Sequence, residues 1–133
     1  MSDEKTLERS LALIHSLYKR TREGKVNWEV SSDRRAFKAE FGAFDVLIRV
    51  MPDPDYPDQP DFSLEIIDRG TGSMIESITN ATLRPVMDRK TPEGLNPYGV
   101  LDQIFGMARR KALKVDDVLQ TILEQLEEPE DQV

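Results

Sequence analysis

The side chains able to do acid–base or metal chemistry are scattered along this sequence, and few fall into a pattern. His15 is the only histidine, and there is no cysteine. One imidazole cannot build a multi-histidine zinc site. Without cysteine there are no disulfides, thiolate zinc sites, iron–sulfur clusters or thiol nucleophiles. A serine–histidine–acid triad would need partners brought together by the fold, because spacing alone does not supply them. His15 lies at the flank of an apolar helical stripe and reads as a partly covered structural residue. The nearest approach to a hard-cation site is the acidic set Asp53, Asp55, Asp58 and Asp61. Calcium loops draw oxygen ligands around a tight turn, often with a glycine and a closing glutamate. This loop has neither, and Pro52, Pro54, Pro57 and Pro60 hold it extended with its carboxylates in water. Tyr56, at its centre, is the residue best placed as an exposed anchor for a partner.

Basic residues gather at Arg84, Arg89 and Lys90 and again at Arg109, Arg110, Lys111 and Lys114. No aromatic alternation of the RNA-recognition type accompanies them, so the simplest reading is a solvated face. The chain carries 25 acidic and 18 basic residues, a net charge of −7 that disfavours nucleic acid. Gly70 and Gly72 lack the third glycine and following helix of a phosphate cradle and mark a turn. No catalytic, cofactor-binding or metal-ligating residue is assigned, although acids this abundant leave acid–base chemistry open.

The elements that must position these groups are legible from periodicity. Leu7, Leu11, Ile14 and Tyr18, widened by Leu13 and Leu17, predict an amphipathic helix over 4–22, closed at Gly24. Val26, Trp28 and Val30 then alternate with polar residues as a half-buried strand. Phe37, Ala39 and Phe41 share a face of a second strand, and Phe44, Val46, Ile48 and Val50 a face of a third. Gly42 and Ala43 between them suit a type II′ hairpin that pairs Phe41 with Phe44, Ala39 with Val46 and Phe37 with Ile48. The same register sets Glu40 against Asp45, a like-charge pair that costs a little. Phe62, Leu64 and Ile66 form a fourth strand. Residues 73–79 form a fifth, with Met74, Ile75 and Ile78 out of clean alternation. Each connection is too short for a crossover, so the sheet is an antiparallel meander. Residues 80–95 read as irregular.

Asn96 and Pro97 are a cap and a first helical residue. After them Leu101, Phe105, Ala108, Ala112, Val115, Leu119, Ile122 and Leu126 step by four and three without interruption, a heptad seam. One helix that long would reach about 39 Å, beyond the ~36 Å diameter of a domain this size. The expectation is therefore a break near Lys114, Val115 and Asp116, with a second helix opening on acidic residues. The alternative is a single helix whose end packs on another subunit.

Two stretches, Leu17–Glu29 and Ala108–Leu119, resemble a group of small bacterial proteins of unassigned function. Members look alike in running from a helix through a tryptophan-bearing strand to a terminal helical segment with an Ala-Arg-Arg pattern. The resemblance implies the same α+β order, no catalytic residue and no cofactor.

The sequence thus reads as one α+β domain over 1–133, with 129–133 a frayed acidic tail. It has no hydrophobic leader and no apolar run near the ~20 residues of a membrane span, which points to the cytoplasm. The expected role is a non-enzymatic interaction module, self-associating as a homodimer or holding a protein partner. Its surface would be Leu101, Phe105, Leu119, Ile122 and Leu126, flanked by Arg109 and Arg110. One alternative is a ligand-binding or hydrolytic domain with a sheet–helix pocket lined by Trp28, Tyr18 and Tyr98. A further alternative is a basic-patch RNA binder.

Overall fold

The computed structural model describes residues 2–33 and 35–127. The acidic tail read over 129–133 lies outside them. The order is α1 (Ser2–Arg22), β1 (Glu29–Val30), β2 (Ala36–Phe41), β3 (Phe44–Met51), β4 (Asp61–Asp68), β5 (Met74–Thr79), a 3₁₀ turn (Arg84–Val86), α2 (Pro97–Ala112) and α3 (Val115–Leu126). The strands form one antiparallel sheet in chain order, the meander that the short connections require. The fold is α+β, with the C-terminal helical segment packed on the sheet through α2.

α1 buries Leu11, Ile14, Leu17 and Tyr18, the stripe its periodicity defines. It ends where Gly24 turns left-handed at φ 74°. The Lys25 N–H then reaches the Arg20 carbonyl at 2.9 Å and the Gly24 N–H the Thr21 carbonyl at 3.0 Å, the paired closure of a Schellman motif.

Gly42 sits at φ 61° while Ala43 does not enter positive φ, as a II′ turn demands. The hairpin register is the expected one, with Phe41 opposite Phe44, Ala39 opposite Val46 and Phe37 opposite Ile48. The Glu40–Asp45 repulsion is answered from the next turn. The Arg69 guanidinium lies 2.8 Å from Asp45 and 3.7 Å from Glu40, bridging both carboxylates.

Two strands depart from simple alternation for identifiable reasons. Val26 and Trp28 are buried, but only Glu29 and Val30 join the ladder. The Trp28 indole N–H instead donates to the Thr21 hydroxyl at 3.2 Å, tying the segment to the end of α1. In β5 the pairing jumps from Ile66–Glu76 to Ile67–Met74, so Ile75 is the extra residue of a bulge. That bulge is why Met74, Ile75 and Ile78 do not alternate.

α2 begins as its cap predicts, the Asn96 side chain accepting the Gly99 N–H at 2.8 Å. It crosses β1 to β4, with α1 alongside. Phe37, Phe62, Tyr98 and Phe105 fill the helix–sheet interface, with ring centroids 5.5–5.6 Å apart. The stretch 80–95, read as merely irregular, adds buried Leu83 and Val86 to the core through its 3₁₀ turn. The opposite sheet face is mixed, with Leu47, Ile67 and Met74 among polar side chains. There Arg49 bonds Glu65 at 3.2 Å and also pairs with Asp33, and Ser63 meets Ser77 at 3.1 Å. Among the described residues no helix is long and apolar enough to cross a membrane.

Candidate functional site

The heptad seam divides at the break between the last two helices. Leu113 closes α2, and Lys114 takes a left-handed conformation at φ 53°, the one non-glycine residue among those described to do so. Bulky side chains pay for that conformation, so the joint is a real corner. Asp116 and Asp117 then occupy the first turn of α3, where the helix dipole favours negative charge. Arg110 donates to Asp116 at 2.7 Å and braces the corner from outside.

On the α2 side the seam belongs to the fold. Leu101 and Ala108 are fully buried, and Phe105 is half-buried against Phe37 and Phe62. Leu101, expected at a partner surface, has no accessible area to give, and the Phe105 ring is engaged in the core. Two of the five expected apolar interface residues are therefore core residues.

On the α3 side the seam has nothing on it. α3 contains no buried residue. Val118, Leu119, Ile122 and Leu123 are 48–50% exposed and Leu126 76%. With half-buried Val115 they fall at i, i+3, i+4, i+7, i+8 and i+11, an apolar stripe as wide as one that faces a core. Asp117, Gln120, Thr121 and Glu124 occupy the opposite side of the helix, where Gln120 donates to Glu124 at 3.1 Å. Leu119, Ile122 and Leu126 are thus brought together as one surface. Val118 and Leu123, which the strict four–three stepping passed over, widen it; a hydrophobic count at 100° per residue finds them.

The flanking cations are only partly free. Arg110 is engaged with Asp116, and Arg109 is exposed beside it. The Lys111 ammonium donates to the Gly24 carbonyl at 3.3 Å, and Arg89 pairs with Glu8. The basic residues are therefore dispersed over three elements and form no continuous stripe.

Tyr56 stands 64% exposed at the loop between β3 and β4. Asp53 organises that loop by accepting the Asp55 N–H at 2.9 Å, while Asp61 accepts from Asn80 at 2.9 Å. Among the described residues no three side chains of histidine, aspartate or glutamate gather as metal ligands.

The expected sheet–helix pocket is not where the aromatics are. Trp28 and Tyr18 are buried in the core, and the Tyr98 hydroxyl donates to the Pro60 carbonyl at 3.0 Å. Only Tyr18 borders a cleft, of about 570 Å³, on the outer side of α1 against residues 90–93. His15 lines the same cleft, a place sequence spacing could not show because its two walls are over seventy residues apart. Comparison with family models, curated proteins and solved structures returns no match.

Proposed function

We propose that the protein is an interaction module that assembles with a second copy of itself through the apolar face of α3. One observation carries this reading. A twelve-residue helix with a complete amphipathic stripe has no buried residue, its apolar side chains standing about half exposed or more apart from half-buried Val115 among the described residues. Helix stability in water comes mainly from packing such a face, so an uncovered stripe implies a cover.

Area and charge favour a second copy as that cover. If a symmetric pair covered all of the exposed apolar residues of α3, it would bury at most on the order of 1,000 Å², the lower limit for a specific interface. Charge sets the direction. The basic turn with Lys111 and Lys114 precedes α3, and Glu124 and Glu127 lie at its far end. Antiparallel pairing brings each basic turn to the acidic end of the other copy, whereas parallel pairing sets like against like. An interface at the low end of the size range is expected to be a weak, transient one, with a dissociation constant on the order of micromolar that weakens as salt screens the flanking charges.

Sedimentation velocity at ~1 µM and ~200 µM tests the proposal, since this range spans a micromolar constant. The expected result is a shift from monomer to dimer that the double substitution Leu119→Asp, Ile122→Asp abolishes. A monomer at both concentrations would defeat it.

A further inference from the structure

The cleft beside α1 differs from the α3 face in having a floor, two walls and an excess of one charge. The end of α1 supplies His15, Tyr18, Lys19, Arg22 and Glu23 on one side, the last engaged with Arg20 and Lys25, and Lys90 and Glu93 stand on the other. At about 570 Å³ it lies within the size range of small-molecule sites.

Internal pairing decides which charges a ligand would meet. Arg22 donates to Glu93 at 2.8 Å, lies 5.5 Å over the Tyr18 ring and contacts its hydroxyl at 3.4 Å. Glu93 is satisfied in turn: its own backbone N–H and the Thr91 hydroxyl, then Arg22, hold its carboxyl below the ordinary range. The Lys19 and Lys90 ammonium groups, by contrast, have no carboxylate within 4.0 Å among the described residues. With Lys19, Arg22 and Lys90 set against Glu23 and Glu93, the lining carries a small positive excess in a chain of net charge −7.

The wall also contains a polar atom that packing does not explain. His15 Nε2 is buried without a hydrogen-bond partner. Such atoms are uncommon, Asn80 Oδ1 being the other among the described residues, and an alkyl chain beside the ring would leave this one as it is.

We propose that this cleft binds a small amphiphilic carboxylate, its head between Lys19 and Lys90 and its apolar body along Tyr18 and His15. The parts of Tyr18 and His15 that reach the cleft and the lysine stems line the path of the body, while the two ammonium groups select the anionic end. The site is independent of α3.

As the only histidine, His15 gives one resolved imidazole proton signal, which serves as the reporter. Octanoate is titrated into the full chain, with inorganic phosphate in a parallel titration. Octanoate is expected to shift the signal saturably, and phosphate to do so at least about tenfold more weakly for want of apolar contact. The surface double variant Lys19→Gln, Lys90→Gln should melt as the wild type does yet bind octanoate about tenfold more weakly. The variant Leu119→Asp should bind it unchanged, which separates this cleft from the α3 face. A signal that octanoate leaves unmoved or moves without saturation, equal affinity in the lysine variant, or phosphate binding as tightly as octanoate would each overturn the proposal.

Discussion

Leu101 and Leu119 lie on the same heptad seam, and the structure requires opposite consequences from truncating them. Leu101→Ala removes a fully buried side chain from beneath α2. Such truncations cost about 2–5 kcal/mol through lost transfer energy and residual cavity. At about 3 kcal/mol the melting temperature of a domain this size falls by ~10 °C. Leu119→Ala removes a side chain already half in water, on a helix that buries nothing. Its cost in dilute protein is under about 1 kcal/mol, or ~3 °C. Concentrated protein should behave differently, because a dimer present at a hundred times its dissociation constant gains about 2.7 kcal/mol of apparent stability. The assay is scanning calorimetry of wild type and both variants at ~1 µM and ~200 µM, bracketing that constant. The wild type and Leu101→Ala should melt higher when concentrated, and Leu119→Ala should not. If Leu119→Ala in dilute protein costs as much as Leu101→Ala, then α3 is bound within the monomer and the division of the seam is wrong.

Three further outcomes follow from individual contacts. Lys114→Gly relieves a left-handed side chain at the corner and should raise urea-measured stability by about 0.5–1 kcal/mol, less than the strain itself because glycine also frees the unfolded chain. Arg69→Ala leaves Glu40 and Asp45 facing each other and should lower the melting temperature, with recovery when Glu40→Gln is added. Burial, followed by the charges of Asp102 and Asp61, raises the Tyr98 pKa above the ordinary tyrosine value. Its contribution to stability is therefore complete below pH ~10 and is lost as pH rises through the folded-state value, a limb that Tyr98→Phe should flatten in melting curves.

What could be read in advance was what depends on neighbours in sequence. Gly42 between two alternating strands dictates its turn and hence the whole β2–β3 register. Asn96 and Pro97 dictate a helix start, and the length of the last seam favours a break near Lys114 over a single helix that packs on another subunit. Other features depend on distant chain. Periodicity showed that residues 101–126 have one apolar side, but which half is covered is decided by the folded chain, in which α2 lies on β1 to β4 and beside α1. Leu83 and Val86 escaped notice because a single 3₁₀ turn is too short to show a period. The cleft beside α1 joins residues 15–22 to 90–93, a juxtaposition that only the folded chain creates.

The Ile75 bulge has a consequence at the margin of the sheet. A regular outermost strand offers unpaired amides that recruit further strands from other molecules. Here one border is a ladder of only two residues, and the other is kinked by an inserted residue with Glu76 next to it. Neither border is a straight template, so cross-β growth between molecules has no starting line. Even with aliphatic side chains standing in solvent on its last helix, the protein should therefore form discrete, reversible assemblies and not fibres.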